Sequence, residues 1–260
     1  MRWSRAEASR PESGVAAAGR SRRIERGIPN VPEETMDHPL DRPIWTALTT
    51  RQAHLAQKAG GVLRYAPAYA PFAASAAGTS DSYADLAALL PQGGQIVLQQ
   101  TEQIAAPPGL IAVRAAATVQ MVATRIEGPN AGFDVDVLTA ADAPEMLALA
   151  RLTRPGPFAE RTNELGRFVG VRHEGRLVAM AGERMKAAAF TEVSGVCTHP
   201  DHRGKGYAAG LMRNVACAIL SRGEMPFLHA YADNVGAIAL YEKLGFATRW
   251  QPTLMVFERR

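Results

Sequence analysis

Cysteine is nearly absent from this 260-residue chain: there are two, Cys197 and Cys217, each inside an apolar stretch. That excludes a disulfide framework and a thiolate metal cluster, and makes a reducing, cytoplasmic setting the expectation. Long apolar runs are absent too. No stretch approaches the roughly 18 residues of a membrane helix, so no membrane span is expected. The N-terminus lacks the apolar core of a secretory signal, and Glu7 and Glu12 argue against a transit peptide. Charge of one sign is lacking: the formal net charge is only +4, and part of it lies in the first segment. The rest of the chain shows no basic stripe with interleaved aromatics, so a nucleic-acid partner is not expected. What is present is the balance of a globular protein, 47% hydrophobic and 21% charged.

Residues 1–35, rich in Arg, Ala, Ser and Glu without apolar periodicity, are expected to be a disordered extension, with Met36 the functional start. Residues 36–125 read as a first α+β half. Asp41 with Pro43 predicts a helix carrying Ile44, Leu48 and Leu55 until Gly60-Gly61 stops it. "SYADLAALLP" reads as a short helix, and "GGQIVLQQ" and "GLIAVRAAATVQMVAT" as strands. "IEGPNAGFD" is a turn-rich joint, giving a linker at 126–133. From 134 to 260 the signals sharpen. "DVDVL" is a strand. Thr139 and Asp142 form a capping box before a helix with Ala143, Leu147 and Ala150 on one face. "GRFVGVRHEGRLVAMAGERM" reads as a hairpin turning at His173-Glu174-Gly175, and "FTEVSGVCT" as a strand. A helix follows with Leu211, Val215, Ala218 and Ile219 inward, ended by Gly223; then come the strand "PFLHAY", a helix capped by Asn234 and ended by Gly245, and a last strand near "TLMVFER". The order implies one mixed sheet with helices on both faces, an α/β (α+β) protein.

"THPDHRGKGYAAGLM" carries the chemistry. Pro200 stops the strand, and Arg203-Gly204-Lys205-Gly206 lead into a helix. Glycines let backbone N–H groups approach an anion, and a helix N-terminus offers unpaired donors and partial positive charge. That combination either seats a pyrophosphate or simply starts a helix. A Walker A loop needs Lys then Ser or Thr after its glycines, which this stretch lacks. Gly204, Gly206 and Ala209 fit a dinucleotide fingerprint, but "HPDHR" separates them from the strand and too few strand–helix units follow.

Arg203, Gly206 and Ala208, after a hydrophobic-x-Thr-x-Pro run, resemble the acyl-CoA motif of the GNAT acyltransferase superfamily. "NVGAIALYEKLGF" is similar to that family's Asn-x-x-Ala-x-x-x-Tyr-x-x-x-Gly-Phe element. Among its members the chain looks most like the bacterial branch related to glycine N-acyltransferases, whose N-terminal half is a degenerate second copy of the fold. The resemblance implies a mixed, mostly antiparallel twisted sheet flanked by helices, acetyl-CoA as co-substrate, no metal, and a small-molecule or peptide amine as acceptor. It implies that Val196, Cys197 and Thr198 offer strand groups to the pantetheine arm, that Arg203, Gly204, Lys205, Gly206, Tyr207 and Ala208 hold the pyrophosphate through backbone N–H groups, with the Arg203 and Lys205 side chains either at the 3′-phosphate or facing water, and that Asn234 bonds the pantetheine region. Tyr241 is then the proton donor to the departing thiolate and Glu192 the base for the amine. The bland alternatives are an N-cap for Asn234, a core aromatic for Tyr241 and a solvent-facing strand glutamate for Glu192. His199 and His202 are expected in capping or surface roles, and His229 faces either a pocket or the outside. The rival function is a CoA-binding sensor without turnover.

Overall fold

A computed structural model describes residues 38–128 and 132–260. The expected extension at 1–35 lies outside the described residues. Residues 39–260 form one compact unit. Helix α1 (Pro43–Thr49) is followed by a hairpin of β1 (Ala56–Ala59) and β2 (Val62–Tyr65), then β3 (Ala73–Ser75), β4 (Gln95–Gln100) and the long β5 (Leu110–Val122). Next come β6 (Asp136–Leu138), α2 (Ala143–Thr153), β7 (Phe168–His173), β8 (Arg176–Ala187) and β9 (Phe190–Thr198). The chain closes with α3 (Tyr207–Ser221), β10 (Met225–Tyr231), α4 (Val235–Lys243), β11 (Ala247–Trp250) and β12 (Thr253–Arg259).

Nine strands make one sheet in the order β4-β12-β5-β10-β9-β8-β7-β6, with β11 also on β5. Every pairing in it is antiparallel except β9 with β10. The expected mixed, mostly antiparallel sheet is therefore present. The expected division at 126–133 does not separate two packed bodies. β5, from the first half, inserts between β10 and the β11–β12 pair of the second. A thirteen-residue strand can reach across both, and Val119 and Met121 near its end, with Ala123 just beyond it, enter the principal core.

That core lies under α3, whose Leu211, Met212, Val215, Ala216 and Ile219 form a stripe at helical spacing against Val119, Met121, Val193 and Leu228. Ala218 is only half-buried, at the stripe's edge. The opposite face is covered by α2 through Met146, Leu149 and Ala150, packed on Phe168, Met180 and Cys197. Of the expected Ala143, Leu147 and Ala150, Ala150 is buried and Leu147 packs partly buried against this cluster, while Met146 and Leu149 take the place of Ala143. The capping box forms as read, with the Thr139 amide donating to Asp142 Oδ2 at 2.7 Å and the Ala141 amide to Thr139 Oγ1 at 3.3 Å. A satellite core of Val62, Tyr83, Leu86, Ile96, Leu98, Met255 and Phe257 joins the first half to β12.

Three local expectations are corrected. Helix α1 ends at Thr49 rather than near Gly60, because the hydroxyls of Thr49 and Thr50 bond back to the carbonyls of Trp45 and Thr46 and loosen the turn. Gly60-Gly61 instead makes the two-residue turn between β1 and β2. Asp41 does not cap α1; its carboxylate pairs with Arg249 at 2.5 Å. "SYADLAALLP" forms two 3-10 turns, Asp81–Tyr83 and Leu86–Leu89, not an α-helix. Its buried anchors Tyr83 and Leu86 are three apart, the repeat of a 3-10 turn. Among the described residues no helix is long and apolar enough to cross a membrane.

Candidate active site

β9 and β10 run together for only three residue pairs, Phe190 with Met225, Thr191 with Pro226 and Glu192 with Phe227. Beyond them β10 stays with β5 as far as Tyr231 opposite Thr118, while β9 stays with β8. A bulge drives the divergence. Gly182 pairs with Ser194 but Met180 pairs with Cys197, so β9 carries one extra residue there. Gly195 sits in it at φ 65, and a Cβ would lie 3.0 Å from the Phe168 ring. The bulge reverses the strand's alternation. Val196 packs toward the α3 side, while Cys197 enters the core under α2.

The gap is a cleft open to solvent. Val193–Val196 form one wall and Leu228–Tyr231 the other, with Asn234 and Tyr241 of α4 beside them. On the α2 side Phe72, Thr118, Arg184 and Pro155–Pro157 complete the lining. The structure thus brings Val196, Asn234 and Tyr241 to one cleft. Asn234 also keeps its capping role, accepting from the Ala237 amide at 3.3 Å. Tyr241 is half-buried against the principal core, and burial pushes its phenol above the usual value of 10.

Glu192 does not face solvent: it is fully enclosed at 0% exposure. A buried carboxylate is tolerated only when paired and hydrogen-bonded. Here Arg184 Nε and Nη2 each donate to it at 2.8 Å, and His229 Nδ1 donates to Oε1 at 2.8 Å. Burial alone would raise its pKa; the charge and hydrogen bonds of Arg184, with the His229 bond, outweigh it and hold the carboxyl at about 2. The network also settles the His229 tautomer. Arg249 Nη1 donates to Gln120 Oε1 at 3.1 Å, which orients the Gln120 amide so that its Nε2 donates to the Leu40 carbonyl at 2.9 Å and faces His229 Nε2 at 3.2 Å. An ionised carboxylate only accepts, so the proton rests on Nδ1 and Nε2 carries the lone pair. His229 lines the cleft while Glu192 stands behind it.

Cys197 reaches the α2-side core rather than the cleft, where burial, only partly countered by a hydrogen bond from Thr153, pushes its thiol up to about 11. A thiol so seldom ionised makes a poor nucleophile. Thr198 ends β9 and is half-buried. After a 3-10 turn at Pro200–His202, Gly204 and Gly206 both adopt φ 77. Nothing lies within 4 Å of the position a Cβ would take at either glycine. Gly206 is the N-cap of the fifteen-residue α3, with Tyr207 and Ala208 in its first turn. Arg203 and Lys205 are exposed. None of Arg203–Ala208 lines the cleft itself. His199 caps the 3-10 turn, accepting from the Asp201 amide at 3.3 Å, and His202 stacks edge-on against His173 with centroids 4.8 Å apart. Among the described residues no group of three or more His, Cys, Asp or Glu is placed to hold a metal ion.

Arg184, Gln120 and Phe72 escaped the sequence reading. Their one signal was polarity out of place: "GERM" sets charges in an otherwise apolar strand, facing the charge of "FTEV" across the next turn.

Known proteins fit this geometry. Residues 168–255 match the family described as FR47-like protein. The crystal structure of a putative acetyltransferase of the GNAT family from Novosphingobium aromaticivorans is 45% identical, with a TM-score of 0.80 over 86% of this chain and 100% of that one. A GCN5-related N-acetyltransferase from Kribbella flavida shares the fold at 19% identity and a TM-score of 0.55, covering 83% of this chain and 95% of that one. The [ribosomal protein bS18]-alanine N-acetyltransferase of Salmonella typhimurium is 27% identical over 123 residues, 43% of this chain and 79% of that protein. With 45% identity across the whole of the Novosphingobium protein, the chain belongs to the GNAT family of acetyltransferases, enzymes that move an acetyl group from acetyl-CoA to an amine.

Proposed function

We propose that the acceptor is the amine of a peptide or protein, acetylated by direct attack in the cleft between β9 and β10. The observation that carries this is the divergence of the two strands after Glu192, which leaves β9 backbone and α4 side chains facing one opening. The similarity to a protein named for acetylating an alanine of a ribosomal protein supports a peptide acceptor over a free small amine.

In this reading Arg203–Ala208 hold the pyrophosphate of acetyl-CoA through the amides of the glycine turn, where two left-handed glycines leave the approach clear. Val196, Cys197 and Thr198 present strand backbone to the pantetheine arm, and Asn234 flanks it. The Val196 amide, beside the bulge, polarises the thioester carbonyl. An alkylamine arrives protonated and must lose a proton before attack. Glu192 is wholly enclosed, so it acts through His229: it accepts the Nδ1 proton and makes Nε2 the basic face. The amine gives up its proton to the His229 imidazole, which lines the cleft, directly or through water. Attack on the carbonyl expels the thiolate; Tyr241, kept in its phenol form by burial, gives a proton to sulfur, and the second proton lost by the attacking nitrogen restores the phenol through water. Direct transfer of this kind calls for no Lewis acid. Two free cysteines and reliance on acetyl-CoA support a cytoplasmic reaction.

The test is calorimetric titration with acetyl-CoA, then thiol-release assays with alanine-initiated peptides beside small primary amines. Saturable binding and faster turnover of the peptides are expected; turnover confined to small amines would overturn the peptide reading.

A further inference from the structure

The long strand β5 has an open edge. On one side it pairs with β12 from Leu110 opposite Arg259 to Ala117 opposite Thr253, with a register shift that skips Val113, and with β11 from Gln120 to Val122. On the other side β10 covers only Thr118 to Val122, and the last contact is the Ala232 amide donating to the Ala117 carbonyl at 3.0 Å. Among the described residues no strand follows from Ala116 back to Leu110. Residues 112–115 and Ala117 are exposed, with Val113 at 41%. Such an edge presents unpaired N–H and C=O groups and is a template for another strand.

The parity of the ladder says which groups are available. The Thr118 amide donates toward β12, to the Pro252 carbonyl, and the Ala117 carbonyl accepts from the β10 side. Neighbouring residues point opposite ways, so Ala116 serves β12 and Ala115 aims its N–H and C=O at the open edge. Ala112, Ala115 and Ala116 carry small side chains, while the Arg114 guanidinium lies over the Tyr231 ring at 4.9 Å.

Direction then selects the occupant. β10 is antiparallel to β5. A peptide pairing antiparallel on the same edge runs in the direction of β10 and starts where β10 stops. Its N-terminus therefore lies beside Ala232, at the rim where Tyr231 and Asn234 border the cleft. Asp233, exposed at that rim, is a carboxylate suited to a terminal ammonium. A parallel peptide would bring its C-terminus there instead, with no amine to acetylate.

We infer that the acceptor is an extended, unfolded N-terminus that adds to β5 between Leu110 and Ala116 as an antiparallel strand, delivering its α-amine to the cleft. This rests on the peptide reading above. The edge belongs to the half of the chain that carries none of the expected motif residues, and the inference gives that half a role in recognition.

The test uses the full chain, acetyl-CoA and alanine-initiated octapeptides carrying a single backbone N-methyl group at successive positions. Strand addition predicts loss of kcat/KM at alternate positions among the peptide residues that face residues 114–117, ahead of the register shift in β5, about tenfold each, as expected for one lost backbone hydrogen bond and a steric block. Ala115→Pro removes an open-edge donor and spares the β12 ladder, so it should raise KM for unmodified octapeptide about tenfold and leave acetyl-CoA binding intact. Acetylated peptides without this two-residue periodicity would overturn strand addition and keep the peptide acceptor. Failure of every peptide, with small amines turning over, would overturn both. A dimer in sedimentation that Ala115→Pro converts to monomer, with peptide kinetics unchanged, would assign the edge to a second copy and overturn the inference. The N-methyl series needs only the wild-type chain, so the result stands even if the proline variant fails to fold.

Discussion

Arg184 on β8 grips Glu192 on β9 through two hydrogen bonds of 2.8 Å, with the carboxylate at 0% exposure and the guanidinium lying 4.7 Å from the centre of the Phe72 ring. The pair links the two halves of the chain, since Phe72 comes from the first and both charges from the second. It also backs His229 against the cleft. Removing one partner leaves the other charge buried alone. Glu192→Gln should therefore destabilise the fold by about 3–5 kcal/mol, whereas replacing both residues by Met should cost much less. Urea denaturation of the two variants checks this; equal losses would show that the pair is not stabilised as a unit.

Acid stability follows from the same carboxylate and from Glu224. At Glu224 burial would raise the pKa, but hydrogen bonds from Arg51, Thr191 and Arg222 and the Arg51 charge win and hold it at about 2. Both groups are depressed from 4.5. Their stabilisation is fully present above the unfolded value and is lost as pH falls toward the folded one. Between about pH 4.5 and 2 the unfolded chain binds up to two more protons, so stability should fall by up to about 2.7 kcal/mol per pH unit. Glu224→Gln should roughly halve that slope, as read from denaturation midpoints across the range.

Tyr241→Phe should lower kcat by about a hundredfold with little change in acetyl-CoA affinity, if its phenol protonates the leaving sulfur. Burial raises the phenol's pKa, so wild-type kcat should show no alkaline loss from this group below about pH 10. Steady-state kinetics with paired calorimetry separates the two effects. An unchanged kcat would leave Tyr241 as a core aromatic.

Gly195→Ala should cost about 1–3 kcal/mol, because the residue sits at φ 65 and its new Cβ would meet Phe168 at 3.0 Å. Relaxing the bulge also moves Val196, so acetyl-CoA affinity should fall along with the melting temperature. Loss of stability with full affinity would separate the bulge from the cleft.

Gly206→Glu puts a carboxylate at the N-cap of α3, in open space but at φ 77. Acetyl-CoA binding should become undetectable by calorimetry while the circular dichroism spectrum stays unchanged. Retained binding would remove the glycine turn from the site.

Much of this molecule was legible because it is local. The capping box at Thr139 and Asp142, the hairpin turning at Glu174 and Gly175 with φ 50 and 78, the Asn234 cap and the left-handed Gly204 and Gly206 each depend on a few neighbouring residues. Dihedral preference and short-range hydrogen bonding decide such features, and both are written in adjacent residue types. The two spaced motifs were legible for the same reason, and with them the family.

Tertiary structure alone decided the rest. Glu192 could have faced solvent on an edge strand; it is enclosed because β10 pairs beside it and Arg184 lies opposite in the β8–β9 pair. His229 could have pointed either way; the parity of β10 against β5 turns it to Gln120 and Glu192. "LIAVRAAATVQMVAT" announced a strand, but a strand's pattern names no partner. Its place between β10 and β12, and the edge it leaves open, come from pairing residues more than a hundred positions apart, where burial of the whole sheet and not local preference sets the free energy.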